Sequence, residues 1–268
     1  MKLSNVLSET YLIEQELSSG SGGVVYKAWH KRLRIHVVIK ELNHSLHINE
    51  ASRRNEAEAL KRIKSLYIPR VLDFLSEDDR SFTIMEYIEG ESFGNLLKKH
   101  GKFNQYRVIE WYGQIASALV ELHEQDICHC DIKPSNIILT PTGKACLIDF
   151  NMAVVKGNDT HLISRSRGYA SPEQYKLFVL YKNLEASSDD EVDWKLSDIH
   201  NLGAAMYHIL TGKRMKYDAK GRVLKANFSK QIEISPCHFI IERSTHPNPA
   251  NRFASAEALN NTIQSLLN

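Results

Sequence analysis

One stretch near the middle of the chain, Ile127-Cys-His-Cys-Asp-Ile-Lys-Pro-Ser-Asn136, gathers an acid, a cation and an amide on a short loop. Asp131 is a carboxylate able to accept a proton, Lys133 is a cation two residues on, and Asn136 is an amide five residues on. That set suits phosphoryl transfer, which asks of a protein mainly positioning, charge neutralisation and metal coordination. Apolar residues lead into the stretch and Ile137-Ile138-Leu139 follows it, so packed flanks can hold the loop rigid. Taken alone, the same residues fit an ordinary polar surface loop equally well. The choice turns on whether the chain also supplies a phosphate cradle, an anchoring lysine and a second metal ligand.

Three features answer that need. Ser18-Ser19-Gly20-Ser21-Gly22-Gly23 joins two strand-like runs, and its glycines let the backbone approach a ligand closely and turn amides toward phosphate. Lys40 ends the run Val37-Val38-Ile39-Lys40. An ammonium on so apolar a strand must reach solvent or meet an anion, because burying it unpaired is costly. Glu56, on the helix that follows, is the candidate partner. Leu147-Ile148-Asp149-Phe150-Asn151 then places an acid at the end of an apolar strand. Asp149 and Asn136 together offer the hard oxygen donors that Mg²⁺ prefers.

The elements that must position these groups fall into two regions. Tyr11–Ile13, Val24–Trp29 and Ile35–Leu42 read as strands from their β-branched and aromatic content, and Val71–Ser76 with Arg80–Tyr87 reads as a hairpin closed by Glu77-Asp78-Asp79. Ile48–Ile63 has the Ala, Leu, Glu and Lys content of a helix. After Glu89-Gly90 the character turns helical. Ile109–His123 carries Tyr112, Ile115, Ala116, Leu119 and Leu122 at helical spacing. Asp198–Leu210 is apolar nearly all round, which predicts a buried helix opened by Asp198. The polar stretch 183–193, with Asp189-Asp190-Glu191 inside it, reads as a solvated loop, with docking of a basic partner as the alternative.

Composition sets outer limits. The 268 residues suffice for one large domain or two lobes. The 34 Lys and Arg against 32 Asp and Glu leave a formal charge of +2, which gives no electrostatic case for a nucleic-acid or anionic-membrane partner. No apolar run is long enough to span a bilayer, and the Met-Lys-Leu-Ser-Asn start lacks a signal core. Cys128, Cys130, Cys146 and Cys237 make no disulfide framework in a chain this size, so reduced thiols and a cytoplasmic setting are expected. A metal site from Cys128, His129 and Cys130 is disfavoured, because side chains along an extended stretch point to opposite faces.

Taken in order, these motifs resemble the protein kinase family, in particular the eukaryotic-like (Hanks-type) serine/threonine kinases. The resemblance runs from about Leu12 to Leu266 and implies an α+β, bilobal protein-kinase-like fold over residues 1–268. A small antiparallel-sheet N-lobe with one helix (1–88) would precede a mainly helical C-lobe (89–268). It implies that Leu17, Ser18, Ser19, Gly20, Ser21, Gly22, Gly23, Val24 and Val25 form the nucleotide loop. Lys40 would pair with the phosphates of ATP and be held by Glu56; Val38, the gatekeeper Met85, the hinge from Glu86 to Ile88, and Ile138 would line the adenine site. Asp131 matches the catalytic base, Lys133 the lysine that steadies the transferred group, and Asn136 and Asp149 the ligands of Mg²⁺, with Mn²⁺ as an alternative ion. Ser171-Pro172-Glu173 matches the Ala-Pro-Glu anchor, Arg252 the arginine that pairs with Glu173, and Asp198 the acid that supports the catalytic loop. Lys133 and the run Ser166-Arg167-Gly168-Tyr169 look like the serine/threonine pattern, which implies protein hydroxyls as acceptors.

The departures from the family pattern carry their own expectations. Ser18 stands in place of the first glycine, Val38 in place of an alanine, and Asn151 in place of the glycine after Asp149-Phe150. Cys130 stands where most relatives have the arginine that grips an activation-segment phosphate, so activity without that phosphate is expected. The alternatives are a pseudokinase that serves as a nucleotide-binding scaffold and a small-molecule phosphotransferase of related fold.

Overall fold

A computed structural model describes residues 5–20, 23–42, 50–77, 80–156, 166–184, 192–217 and 236–267. They divide into two compact units, one up to Ile88 and one from Glu89. Ser21 and Gly22 of the glycine run, the Glu56 side chain and the acidic Asp189-Asp190-Glu191 lie outside the described residues.

The first unit is a five-stranded antiparallel sheet in the order β1-β2-β3-β5-β4, formed by β1 (Tyr11–Gly20), β2 (Gly23–His30), β3 (Ile35–Leu42), β4 (Val71–Glu77) and β5 (Arg80–Glu86). Alternation along these strands separates two faces. Ala28, Val37, Ile39, Phe82 and Ile84 point to one side and bury against Leu7 of α1 (Asn5–Thr10) and Tyr11. Directly opposed residues share a face, so the pairings Val25 with Lys40, Lys40 with Thr83, Lys27 with Val38 and Val38 with Met85 gather the other set. Helix α2 (Glu50–Lys61) packs against β4 and β5 through an edge that includes the buried Ala57 and Leu60.

Strand β1 runs well past Ile13, where the sequence pattern alone would end it. Its Ser-Gly end keeps pairing with β2 as far as Gly20 opposite Gly23, after two irregularities in register. A serine- and glycine-rich composition reads as a loop, but the partner strand supplies the ladder that the composition does not advertise. Of the helix expected over 48–63, the described part is Glu50–Lys61, which ends two residues before Ile63, and residues 48 and 49 lie outside the described residues.

The second unit is built on α4 (Gln105–Glu124), whose Tyr112, Ile115, Ala116, Leu119 and Leu122 are wholly buried. Asn104 caps its start by accepting from the Tyr106 N–H. It packs against α6 (Trp194–Thr211) and α8 (Ala256–Leu267), while α7 (Pro236–Ser244) packs against α6. Helix α6 begins four residues before Asp198, which corrects the expectation that Asp198 opens it. Asp193 is the true cap, accepting from the Leu196 N–H, and Asp198 sits one turn inside and wholly buried. Helices α3 (Phe93–His100) and α5 (Pro172–Lys182) also belong to the unit, the latter opened by a reciprocal capping box between Ser171 and Gln174.

Two small sheets carry the chemically interesting loop. Strands β6 (Glu91–Ser92), β8 (Ile137–Leu139) and β9 (Ala145–Leu147) form one, and β7 (Ile127–Cys128) pairs with β10 (Val154–Val155) in the other. Helix α4 holds the β8–β9 hairpin directly: Trp111 Nε1 donates to the Gly143 carbonyl (3.1 Å), and Gln114 Oε1 accepts from the Ala145 N–H (2.7 Å). No helix among the described residues is long and apolar enough to cross a membrane.

Candidate active site

Between β7 and β8 the chain forms an irregular loop whose every functional side chain is tied down. Asp131 Oδ2 accepts from Lys133 Nζ at 2.6 Å and from Asn136 Nδ2 at 3.3 Å, while Asp131 Oδ1 accepts from Ser166 Oγ at 2.6 Å. Lys133 Nζ also donates to Ser166 Oγ (3.2 Å), so acid, lysine and hydroxyl close a triangle. Asn136 Nδ2 donates as well to the Asp131 carbonyl (3.0 Å), and the 3₁₀ turn Pro134–Asn136 fixes its backbone. Asp131 and Asn136 are buried and Lys133 is half-buried, so these bonds form where water competes poorly.

The loop is held from below by a buried carboxylate. Asp198 Oδ2 accepts from the His129 N–H (2.8 Å) and His123 Nε2 (3.1 Å), and Oδ1 accepts from the Cys130 N–H (2.7 Å). From the other side Gln174 Nε2 donates to the Cys130 carbonyl at 2.7 Å. These clamps matter because Cys130 has φ +62°, a left-handed conformation that costs a non-glycine residue about 1–3 kcal/mol. The His129 ring accepts from the Asp131 N–H at Nδ1 (3.3 Å), which leaves the ring proton on Nε2 to be donated to the Ile148 carbonyl (3.0 Å). Phe150 packs edge-on against that ring at 4.9 Å. Asp149 lies next to this contact, also at positive φ (+68°), and the Ile148 N–H donates to the Asn136 carbonyl (2.8 Å). The two candidate metal ligands are thereby carried on backbone segments bonded to each other.

His123, Cys128 and Asp198 place potential ligand atoms within 4.8 Å of one another. That cluster reads as support rather than as a metal centre. The Asp198 oxygens already serve three donors, and burial, followed by the Asp198 charge, pushes the Cys128 thiol far above its ordinary range. Metal binding needs the thiolate. Cys130 is likewise held as a neutral thiol, by burial first and the Asp198 charge second.

In the first unit, the expected nucleotide residues fall on one sheet face or at its edge. Val25, Val38, Lys40 and Met85 share the face opposite the hydrophobic core. Lys40 is only 5% exposed, and among the described residues no carboxylate meets it. Leu17, Ser18, Ser19 and Gly20 lie on β1 and Val24 on β2. Gly23 has φ +131°, and a Cβ there would stand 1.9 Å from the Glu41 carbonyl oxygen, so no other residue fits. The Glu86 N–H is already donated to the Arg70 carbonyl (2.9 Å), and Ile88 follows β5 half-buried. Ile138 lies on β8 of the second unit, also half-buried.

The anchor expected downstream is assembled. Arg252, 2% exposed, donates through Nη1 and Nη2 to Glu173 Oε1 (2.5 Å) and Oε2 (2.8 Å), through Nη1 also to the Leu196 carbonyl, and through Nε to the His246 carbonyl. A family model described as a protein kinase domain matches residues 11–268. The chain belongs to the protein kinase family. It is 30% identical to a probable serine/threonine-protein kinase of Clostridium acetobutylicum, over 99% of this chain and 41% of the relative. Serine/threonine-protein kinase pkn3 of Myxococcus xanthus is 28% identical over 98% of the chain and 51% of its own length. Serine/threonine-protein kinase PknL of Mycobacterium tuberculosis is 26% identical over 98% and 67%. The chain thus spans about half the length of the curated relatives it matches.

Kinases use a nucleotide and a divalent metal, and the donor set here fits such an ion. Asn136 spends its amide nitrogen on Asp131, which leaves its oxygen, beyond a long 3.3 Å bond from Ser135 Oγ, for a hard cation. The Asp149 carboxylate is engaged, within the contacts described, only by a 3.4 Å bond from the Asn151 N–H. Two residues of this kinase site were not picked out as site residues from sequence. Gln174 carries no chemical signature of its own, and only its place directly after Pro172-Glu173 could have flagged it. Ser166 was legible as part of a serine/threonine pattern but not as a direct partner of Asp131.

Proposed function

We propose that the protein transfers the γ-phosphoryl group of ATP to serine or threonine hydroxyls of other proteins. The observation that carries this reading is the Ser166 hydroxyl held 2.6 Å from Asp131 Oδ1, with Lys133 Nζ at 2.6 Å from Oδ2. A carboxylate that accepts a bond from an alcohol at this distance is within general-base reach of a substrate hydroxyl. In the proposed reaction Asp131 orients that hydroxyl and takes its proton, and Lys133 steadies the group in transit. Lys40, restrained by Glu56, engages the phosphates beneath the loop from Leu17 to Val25, and Val38, Met85, Glu86, Ile88 and Ile138 receive the adenine. Asn136 and Asp149 would hold Mg²⁺ or Mn²⁺, which when bound neutralises the charge that develops on the phosphates. Four free thiols among the described residues suit a reducing, cytoplasmic setting.

We further infer that no activation-segment phosphate is required. In this reading Cys130 occupies the place of the arginine that would grip such a phosphate, and a buried, protonated thiol offers it no charge. The loop is instead held by the neutral amide of Gln174 and the buried Asp198.

The test is phosphate transfer to a generic protein substrate or to the protein itself, with ATP and Mg²⁺. Wild type should transfer and Asp131→Asn and Lys40→Ala should not; Thr160→Ala and Ser164→Ala should stay near wild type. Equal inactivity of wild type and both active-site variants, with nucleotide still raising Tm, would replace this reading by a nucleotide-binding scaffold.

A further inference from the structure

A cleft of about 520 Å³ opens in the second unit beside the reaction base, and Lys133 and Ser166 form part of its wall. Both residues hydrogen-bond Asp131, so anything seated in the cleft lies next to the group that would receive the acceptor's proton. The remaining charged lining is of one sign. Lys98 from the last turn of α3, Arg167 directly after Ser166, and Arg214 just beyond α6 face it, and no Asp or Glu lines it among the described residues. All three are exposed, and none has a carboxylate partner among the described residues.

The arrangement is built rather than incidental. Gly168 has φ +86°, and a Cβ there would lie 3.3 Å from Arg214 Cβ, so the glycine turns the Arg167 segment tightly against Arg214. The Arg214 guanidinium lies over the Tyr169 ring at 5.7 Å, which orients it. The Tyr169 hydroxyl in turn bonds His208 Nδ1 at 2.7 Å. Burial, and then the Arg214 charge, hold the His208 pKa down to about 4, so this histidine adds no charge near neutral pH. Several like charges around one cleft repel one another, and an anion entering it relieves that repulsion while forming charge-assisted bonds.

We propose that this cleft selects protein substrates that carry an anionic group beside the acceptor hydroxyl, recognised by Arg167, Arg214 and Lys98. The anion is either an Asp or Glu carboxylate or a phosphate already present on the substrate. The inference rests on the kinase reading of the same site, but binding tests it independently of transfer.

The experiment uses the full chain and fluorescent peptides in which alanine replaces the acceptor serine, flanked in turn by glutamate, phosphoserine, alanine or lysine. Glutamate or phosphoserine peptides should bind and lysine peptides should not. Arg167→Glu and Arg214→Glu should each weaken binding on the order of fivefold, the worth of one well-placed exposed ion pair. The preference should fade as added salt screens it. Tighter binding of phosphoserine than of glutamate would point to previously phosphorylated substrates, and the reverse to acidic sequences. Equal binding of all peptides, or an acidic preference that survives both substitutions, would overturn the proposal. A parallel transfer assay with serine restored separates the two readings: binding without transfer removes the kinase activity and leaves the anion site standing, whereas transfer without anion preference does the opposite.

Discussion

Gln174→Leu tests whether the catalytic loop is held by the contacts described for it. Gln174 is wholly buried and serves several partners at once. Its Nε2 donates to the Cys130 carbonyl (2.7 Å), and its Oε1 accepts from the Ser171 N–H (3.3 Å), Ser197 Oγ (3.3 Å) and Asn201 Nδ2 (3.2 Å). Leucine fills similar volume but leaves the Cys130 carbonyl, the Ser171 N–H and the Asn201 amide without these bonds. Ser197 keeps its bond to Ser171 Oγ (2.8 Å). Each buried orphan costs about 1–3 kcal/mol, and partial relaxation brings the sum to roughly 3 kcal/mol. For a domain of this size that lowers Tm by about 6–12 °C. The functional consequence is separate. Cys130 is kept at φ +62° against about 1–3 kcal/mol of strain, and Gln174 is one of its two clamps. If about 1–2 kcal/mol of that strain relaxes, the competent loop falls to roughly 3–20% of molecules and kcat drops about 5–30-fold. Initial-rate phosphotransfer, measured well below the variant's Tm, reads this directly. Loss of Tm with wild-type kcat would refute the clamp: Asp198 alone would then suffice to hold the loop.

Two further predictions follow from the same network. Glu173→Gln removes one partner from a nearly buried bidentate pair, so thermal unfolding should show a loss of about 2–3 kcal/mol, discounted from the usual 3–5 because Glu173 is 18% exposed. That variant touches the far side of the same helix start without contacting Cys130, so its kcat at low temperature should stay near wild type. The pH dependence of Tm should report His208, whose folded pKa of about 4 lies below its ordinary 6.5. The depressed value means the fold favours neutral histidine, so its contribution is complete above about pH 6.5 and is lost as pH falls toward 4. His208→Gln, which can still bond the Tyr169 hydroxyl, should flatten that part of the profile.

The loop from Ile127 to Asn136 was legible as a candidate site because its residues announce their chemistry. An acid, a lysine and an amide at fixed spacing need no tertiary information to suggest a role, and Tyr112, Ile115, Leu119 and Leu122 declare a buried helix through period alone. What was not legible depends on partners distant in sequence. The Ser-Gly end of β1 is strand only because β2 returns to pair with it. The start of α6 was hidden because Asp189, Asp190 and Asp193 are equally plausible caps by type, and it takes the structure to show Asp193 accepting from the Leu196 N–H. Gln174 escaped notice for the same reason: its worth lies in where the Cys130 carbonyl points, which no local pattern encodes.

The distribution of charge in the second unit links the two proposals. The loop around Asp131 is stabilised by a buried carboxylate and a neutral amide that grip backbone groups, and Cys130 within it is a protonated thiol with no charge to offer. On the proposed reading such a loop needs no phosphate on the activation segment. Cations without a carboxylate partner among the described residues stand instead at the cleft, on Lys98, Arg167 and Arg214, where an incoming chain would meet them. On this reading the anion that matters to the enzyme arrives on the substrate. Its presence should then change binding and KM, while kcat for a peptide already bound stays set by the Asp131, Lys133 and Ser166 triangle.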